Sequence, residues 1–245
     1  EKVPHSPCHR CLAKCDPAIW SYLKNSKLNR NIQKSSDAAK SILDKVDRSR
    51  PTIFVAGQND FESGLQPYTL HTQKYHSPIF KSSDEVTQYL SELAIKNNWN
   101  LIYKPHPIMS MLGSSPESMP NTIIIKYIDI NEIIDFSDVT ITILSQTGYI
   151  ALIREKPTVM LGYTQLRGKG CTYEAFSLDK VESEIKHAIE SGFTQEQKEA
   201  FKRHIAQMIK YYLYDDMLER DIGYGKSAEE AEKLILQNIN SSNLY

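Results

Sequence analysis

The sequence has 245 residues, of which 40% are hydrophobic and 24% are charged, and its formal net charge is −1 at pH 7. This composition is typical of a globular chain with an apolar core, and the near-neutral charge predicts no nucleic-acid partner. No run of about 18 apolar residues is present, so no transmembrane helix is predicted. The chain begins at Glu1 with neither a Met nor the apolar segment of a signal peptide, which predicts missing upstream sequence.

Residues 1–50 are polar and carry no strand pattern. Two helices are predicted there, one beginning at the capping pair Asp16-Pro17 and one over residues 36–46. We interpret this segment as a helical extension that either contacts an acceptor domain or is what remains of one.

Three of the four cysteines lie near the start of the chain, at Cys8, Cys11 and Cys15. With His5 or His9 as a fourth ligand, this cluster could hold a zinc ion. A second ligand pair at the usual spacing is absent, and free thiols of a reducing cytoplasm or a disulfide also explain the cluster. We therefore predict no metal site.

From residue 51 onwards, strand and helix patterns alternate. Strands are predicted at 51–57, 101–103, 122–125, 139–144 and 157–161, and helices at 82–96, 129–136 and 149–154. This order predicts an α/β fold with a doubly wound parallel sheet and right-handed crossovers, which we assign to residues 51–178. Residues 179–245 are predicted to form helices that pack on this domain, at 179–191, 194–214 and 227–238.

The second predicted strand ends in Lys104-Pro105-His106-Pro107. The two prolines restrict the backbone and favour extended geometry at the residues before them. A cation and an imidazole are thus displayed on a stiff loop at a strand's carboxyl end, where open α/β sheets bind ligands. The pair suits a phosphate, and the alternative is a rigid turn in which His106 only caps local structure.

The fourth predicted strand leads into Ser145, Gln146, Thr147 and Gly148 and then into a helix. Hydroxyl groups and the unpaired N–H groups of a helix N-terminus form an anion site, and a glycine lets the ligand approach the backbone. Simple N-capping by Ser145 or Thr147 is the alternative. Because this loop and the His106 loop belong to the same sheet edge, we favour a shared phosphate site.

Several common motifs are missing from the sequence. It contains no G-x-x-x-x-G-K-[ST] and no G-x-G-x-x-G after a strand, which argues against a P-loop protein and the usual dinucleotide-binding domain. It also lacks G-x-S-x-G, which argues against a serine hydrolase of that type.

Three stretches carry a resemblance to one family: IFVAGQNDFESG (53–64), IYKPHP (102–107) and VTITILSQTGYIALIREKPTVMLG (139–162). They occur in the same order in the bacterial capsule polysaccharide biosynthesis family, which the chain resembles over residues 51–175. This family contains retaining 3-deoxy-D-manno-octulosonic acid (Kdo) transferases that build the lipid linker of the capsule. The resemblance implies a GT-B-like nucleotide-binding Rossmann domain, a CMP-linked sugar donor and no other cofactor.

The resemblance also implies roles for individual residues at the phosphate. Lys104 and His106 would contact the phosphate or ribose of CMP, with His106 also counted among the catalytic residues. Ser145, Gln146 and Thr147 would hold the phosphate at the start of the helix.

Gln58 would lie at the reacting carbon together with an acid, Asp60 or Glu62, which the sequence does not distinguish. That carboxylate would act as nucleophile or as base, and the alternative is a solvated loop acid. Arg167 and Lys169 would bind an anionic sugar or a phosphate, or else belong to a solvated basic loop.

The chain departs from the family pattern at Tyr149-Ile150, where an acid is usual, and in residues 162–170, where a Trp is missing. The donor sugar therefore stays open, with Kdo or another acidic sugar as candidates. We also expect Tyr173-Glu174 to close the nucleotide pocket.

We predict a cytoplasmic glycosyltransferase that moves a sugar from a CMP-activated donor to a glycan or lipid-linked acceptor. Tyrosines next to Lys210 suggest peripheral docking on the inner membrane, although packing of their helix on the sheet explains them as well. One alternative is a polyol-phosphate transferase that uses CDP-glycerol or CDP-ribitol, and another is a nucleotide-binding domain without catalysis. The acceptor domain would be missing, reduced or supplied by another copy.

Overall fold

A computed structural model describes residues 33–113 and 116–211 of the chain. Internal contacts divide the chain into two units, Ser21–Lys198 and a second one made of Glu1–Trp20 and Glu199–Tyr245. The first unit is described from residue 33 onwards and contains the whole sheet. The second is described only over residues 199–211, which continue a helix. The predicted domain boundaries at residues 50 and 178 stay predictions.

The described residues form a six-stranded sheet and eight helices. The strands are β1 (Thr52–Ala56), β2 (Asn100–Lys104), β3 (Ile123–Ile124), β4 (Val139–Thr142), β5 (Thr158–Met160) and β6 (Tyr173–Glu174). The helices are α1 (Asp37–Leu43), α2 (Leu70–Tyr75), α3 (Ser83–Asn97), α4 (Pro107–Met111), α5 (Ile130–Phe136), α6 (Thr147–Ile153), α7 (Leu178–Ser191) and α8 (Gln195–Tyr211).

Every strand pairing is parallel, and the order across the sheet is β3-β2-β1-β4-β5-β6. The predicted doubly wound parallel α/β fold is therefore confirmed. The chain leaves β1 in one direction and returns on the other side at β4, so the topological switch point lies between these two strands. Ligands of such sheets bind outside the carboxyl ends of the strands at this point.

Both faces of the sheet are covered, as the continuous apolar run of β1 predicts. Alternate side chains of a strand point to opposite faces: Ile53 and Val55 join one buried cluster, and Phe54 and Ala56 join the other. The first cluster includes residues of α3 and α7, and the second includes residues of α1, α5 and α6. These two cores fix the strands and leave their carboxyl ends open.

Gly57 lets the end of β1 approach the end of β2 closely. A Cβ atom at this position would lie 2.9 Å from the carbonyl oxygen of Lys104 and 3.0 Å from the Cα of Pro105. The backbone N–H of Gly57 donates to that same carbonyl at 2.9 Å. The loops that leave β1 and β2 therefore start side by side.

The structure also contains elements that the sequence patterns did not predict. The sequence patterns assign no strand or helix to residues 107–121, but the first turn of this segment is helical, because Pro107 fits the start of a helix and His106 caps it. The predicted strand 139–144 ends already at Thr142. Tyr173–Glu174 forms an additional edge strand, which pairs with β5.

Candidate functional site

The loop after β1 is fixed to its neighbours by the buried side chain of Gln58. Its Oε1 accepts the backbone N–H of Leu144 at 2.9 Å, and its Nε2 donates to Ser63 Oγ at 3.0 Å. The backbone N–H of Gln58 donates to Ser83 Oγ at 3.2 Å. Gln58 thus connects β1, the end of β4 and the start of α3, and both ends of its amide are used by the protein.

Asp60 is also buried and is turned towards the start of α3. Its two carboxylate oxygens accept the backbone N–H of Ser83 at 2.9 Å and the hydroxyl of Ser83 at 2.8 Å. Burial raises the pKa of Asp60, and the two Ser83 hydrogen bonds act against this shift. In this arrangement the carboxylate holds the loop on the helix.

Glu62 is exposed, unlike Asp60. Its carboxylate accepts a hydrogen bond from Asn59 Nδ2 at 3.3 Å. Burial lowers the pKa of His106, while the charge of Glu62 acts in the opposite direction and that of Lys104 lowers the pKa further. The charge of an acid in the first loop therefore acts on the imidazole in the second.

The ring of His106 has a defined orientation. Its Nδ1 accepts the backbone N–H of Ile108 at 3.3 Å and so caps α4. A ring whose pKa is lowered is neutral at pH 7, and with Nδ1 as acceptor its proton lies on Nε2. Nε2 is then the ring atom that can donate a hydrogen bond to a ligand.

Lys104 is buried, and its ammonium group contacts protein atoms. Nζ donates to Gln33 Oε1 and, at 3.3 Å, to the carbonyl oxygen of Lys126. Burial lowers the pKa of Lys104 to about 8, although the charge of Asp129 acts in the opposite direction. Lys104 and His106 are separated only by Pro105, but their side chains bond to different parts of the chain.

The turn after β4 is stabilised by its own side chains. Ser145 Oγ accepts the backbone N–H of Thr147 at 3.2 Å and donates to Thr147 Oγ1 at 3.0 Å. The backbone N–H of Ser145 donates to Thr142 Oγ1 at 3.0 Å. Gln146 is exposed and makes no capping hydrogen bond, and Gly148 is buried against β4. Ser145 thus accepts the backbone N–H of the first helical residue, Thr147, although the N-cap position itself is occupied by Gln146.

Arg167 lies in the loop after β5 and stacks on aromatic rings. Its guanidinium carbon lies 3.8 Å from the centre of the Tyr163 ring and 5.5 Å from that of Phe176. The two rings pack edge to face, with their centres 4.9 Å apart. Stacking leaves the edge of the planar guanidinium available for hydrogen bonds.

Glu174 stabilises the same loop through a hydrogen bond to its backbone. Its carboxylate accepts the backbone N–H of Gly168 at 2.7 Å, and Gly168 has a φ of +67° in the left-handed region. Lys169 is exposed beside this turn. Glu174 therefore shapes the basic loop.

His76 contacts both the loop after β1 and the loop after β5, a role that sequence reasoning missed. Its carbonyl oxygen accepts the backbone N–H of Tyr163 at 2.6 Å. A Cβ on Gly162 would lie 2.8 Å from that oxygen, and a Cβ on Gly64 would lie 2.8 Å from Nε2 of the His76 ring. Nδ1 of His76 is buried and has no hydrogen-bond partner. Gly64 and Gly162 were the signals in the sequence for a close contact, but the sequence does not identify His76 as the residue that approaches them.

Some predictions fall on other parts of the chain. Cys8, Cys11 and Cys15 lie outside the described residues, as do Tyr212 and the tail that follows it. Across the described ranges, 33–113 and 116–211, no group of three or more His, Cys, Asp or Glu side chains could hold a metal ion. None of the helices in those ranges is both long and apolar enough to cross a bilayer.

The chain resembles solved glycosyltransferase structures. The β-Kdo 2,4 transferase of Thermosulfurimonas dismutans KpsC superposes with a TM-score of 0.50 and 14% sequence identity, over 82% of this chain and 56% of its own. The β-Kdo 2,7 transferase of the same KpsC aligns with a TM-score of 0.46 and 18% identity, over 93% of this chain and 64% of its own. At 14% identity, the similarity to the 2,4 transferase shows a shared fold only. This chain spans less than two thirds of the length of either transferase.

The sequence comparisons address the family directly. No curated protein matches the sequence. The model of the family described as capsule polysaccharide biosynthesis protein matches residues 18–188, which include all six strands and the three loops of the candidate site. Because this match covers well over half of the chain, the protein belongs to the capsule polysaccharide biosynthesis family.

Proposed function

We propose that this chain is the nucleotide-sugar-binding part of a glycosyltransferase in capsule or surface polysaccharide assembly. It would transfer a sugar from a CMP-activated donor to a glycan or lipid-linked acceptor on the cytoplasmic side, with no cofactor besides the donor. The observation that carries the proposal is the geometry of the switch-point edge, where the loops that carry Glu62 and His106 start side by side at Gly57 and Lys104. Membership in the family and the fold likeness to a Kdo transferase support it.

In this proposal Glu62 is the reacting acid and Asp60 is not. Both oxygens of Asp60 are engaged by Ser83, and the carboxylate is buried. Glu62 is exposed and is held by one neutral amide, that of Asn59. A carboxylate that can reach the anomeric carbon can serve as a nucleophile or as a base, and Glu62 has that freedom.

The donor phosphate would be bound by His106 and the turn after β4. The neutral ring of His106 offers its Nε2–H to a phosphate oxygen, while its Nδ1 stays on α4. From the turn, the exposed Gln146 contributes its amide, and Ser145 and Thr147 fix the backbone around it. Lys104 would support the loop from inside through its bonds to residues 33 and 126.

Arg167 would recognise the anionic group of the donor sugar. A planar guanidinium pairs with a carboxylate or phosphate through two parallel hydrogen bonds. The stack on Tyr163 orders the guanidinium before the ligand arrives, which lowers the entropy cost of binding. The neighbouring Lys169 would add charge without fixed geometry.

Nucleotide titration tests this function. Thermal shift and calorimetry with CMP, CDP, UDP and GDP should show stabilisation by CMP, since a ligand at about 100 times its dissociation constant adds about 2.7 kcal/mol. The His106→Ala variant should lose this response. The control His71→Ala removes an exposed histidine of α2 and should keep it. A preference for UDP or GDP would contradict the CMP-linked donor, and the absence of any response would contradict the nucleotide site.

A further inference from the structure

A second concave surface lies at the amino ends of the strands, on the edge of the sheet opposite the candidate site. Its volume is about 500 Å³, which is within the range of small-molecule sites. The end of α3, residues 98–101, residues 121–123 and Arg50 line it. We call it the amino-edge pocket. About 13 Å of β2 separate it from Lys104 at the other end of that strand.

The pocket exists because β3 is shorter than β2. β3 pairs with Ile102 and Tyr103, so the first two residues of β2 extend past its start. At Asn121 the backbone turns with a φ of +49°, and an antiparallel bridge joins Met119 to Thr122. Strand pairing therefore leaves a notch between the amino ends of the two strands.

Two asparagine side chains at the pocket have no partner. Neither the Asn98 amide nor the Asn121 amide forms a hydrogen bond with another group in the described part of the chain. Both residues have left-handed backbone, with φ of 56° and 49°, a conformation that glycine adopts at less cost. The backbone alone therefore does not require an amide at either position, and both amides are available to a ligand.

The pocket also presents oriented acceptors. Nδ2 of Asn100 donates to the backbone carbonyls of Asp47 at 2.8 Å and Arg50 at 3.3 Å, which orients the amide and leaves Oδ1 as its acceptor. Oγ1 of Thr122 donates to the carbonyl oxygen of Pro120 at 3.0 Å and retains its capacity to accept. With the two unpaired amides, the pocket thus offers both hydrogen-bond donors and acceptors.

The charge of the pocket excludes a strongly anionic ligand. Arg50 is the one charged residue among those described as lining it, and its Nε pairs with Asp47 Oδ2 at 2.9 Å. A phosphate only accepts hydrogen bonds and favours cationic donors, whereas each sugar hydroxyl both donates and accepts. Neutral amides and a threonine hydroxyl therefore match a neutral, hydroxyl-rich ligand.

Trp99 supplies an apolar surface for such a ligand. Its half-buried indole packs against the core and also lines the pocket. An indole combines a large apolar ring with one polar N–H, and the C–H groups of a pyranose ring pack on such a surface while its hydroxyls bond to amides. Ile95, which is 59% exposed, extends the apolar part of the lining.

We propose that the amino-edge pocket is a binding subsite for a neutral sugar residue of a glycan. The indole of Trp99 would contact the sugar ring, and the amides of Asn98 and Asn121 would bond to its hydroxyl groups. Because the pocket lies at the opposite edge from the candidate site, it would hold the glycan away from its reacting end. Only this last statement, that the glycan is the acceptor, rests on the proposed function.

Tryptophan fluorescence tests the subsite. The sequence contains two tryptophans, so a Trp20→Phe variant of the whole chain reports on Trp99 alone. Titration with maltotriose, cellotriose and mannotriose should change the emission with at least one of these neutral trisaccharides. Trigalacturonic acid, an anionic trisaccharide, should bind more weakly than the best neutral one.

A double variant, Asn98→Gly with Asn121→Gly, separates the amides from the backbone. Glycine suits the left-handed conformation of both residues, so the fold should be kept. The association constant for the bound trisaccharide should fall by about tenfold or more, since one hydrogen bond changes affinity by a factor of about three to ten. The matched control Gln88→Ala removes an exposed amide from α3 outside the pocket and should bind as the original chain does.

Salt dependence provides a second readout. Screening weakens interactions between charges, so the affinity for a neutral trisaccharide should be nearly unchanged between about 0.05 M and about 0.5 M ionic strength. An affinity that falls steeply with added salt would mean that Arg50 binds an anion, and this result would overturn the assignment to a neutral sugar.

The outcomes separate the subsite from the nucleotide site. Absence of a response to all three neutral trisaccharides, or equal affinity of the double glycine variant, would overturn the proposal. Self-association that Ile95→Ser abolishes, without sugar binding, would assign the pocket to a second copy of the chain. The double glycine variant should still respond to CMP. A chain that binds CMP but no trisaccharide refutes only the subsite, and the reverse refutes only the nucleotide site.

Discussion

Replacing Asp60 by Ala should destabilise the fold, whereas the same change at Glu62 should not. Asp60 is buried and accepts two hydrogen bonds from Ser83, at 2.9 and 2.8 Å. Its loss leaves a buried N–H and a buried hydroxyl unpaired, each at a cost of about 1–3 kcal/mol. Removing a carboxylate whose burial is unfavourable offsets part of this cost. We therefore expect a net loss of about 2–3 kcal/mol, or a fall in Tm of about 5–10 °C.

Urea unfolding followed by circular dichroism measures these differences. Glu62→Ala should lie within about 0.5 kcal/mol of the original chain, because Glu62 is exposed. Asp60→Asn keeps the shape and one acceptor oxygen, so it should cost about 1 kcal/mol. If Asp60→Ala is as stable as Glu62→Ala, the bonds to Ser83 do not hold the loop and our reasoning on Asp60 fails.

The pH dependence provides an independent check of the same carboxylate. Burial raises the pKa of Asp60 in the folded state above its ordinary value of 3.8. Between these two values the folded protein binds more protons than the unfolded chain, so its free energy of unfolding falls as the pH rises. The advantage of the original chain over Asp60→Asn should therefore be largest in acid and smaller at neutral pH. An advantage that grows with pH would contradict the burial of this group.

Three further predictions concern other parts of the site. Burial lowers the pKa of Lys104 to about 8 from 10.5. As the pH increases between these two values, the free energy of unfolding of the original chain should therefore rise by about 3 kcal/mol relative to that of Lys104→Met. A difference between the two proteins that stays constant with pH in thermal melts would contradict the burial of this ammonium group. Gly57→Ala places a Cβ 2.9 Å from a backbone carbonyl and should cost about 2 kcal/mol or more in urea unfolding; the control Gly113→Ala, which meets open space at a φ of +67°, should cost less. Arg167→Lys should leave Tm unchanged and weaken calorimetric binding of an acidic CMP-sugar by about tenfold, since a lysine cannot reproduce the bidentate contact, whereas Lys169→Gln should change affinity less.

The sequence was sufficient for the fold because its signals are local. The apolar run of residues 51–57 predicts a strand covered on both faces, and both faces of β1 are buried. The capped helix predicted from residue 82 begins at Ser83, with Ser82 as its N-cap. Very short elements gave no such signal: β6 has two residues, and its pairing with β5 depends on the intervening loop.

The site was less predictable than the fold, because a sequence motif does not determine the direction in which each of its side chains points. Lys104 and His106 are separated by one proline, yet Lys104 turns to Gln33 while His106 caps α4. Asp60 and Glu62 are separated by one residue, and the tight turn between them places one inside and the other outside. The contact of His76 with Tyr163 uses backbone atoms, so no choice of side chain reveals it.

The candidate site has two parts: a base, where the ends of strands and loops are joined by hydrogen bonds, and the tips, which are the side chains of Glu62, His106 and Arg167. At the base, Gly57 meets the carbonyl of Lys104, Gln58 accepts from Leu144, and His76 accepts from Tyr163. These bonds join the ends of β1, β2 and β4 and connect the end of α2 to the loop after β5, so the loops are positioned before any ligand binds. Glu62, His106 and Arg167 extend from this base. Substitutions at the base should therefore change stability first, and substitutions at the tips should change binding first, so a variant that loses both together indicates that the loop itself has moved.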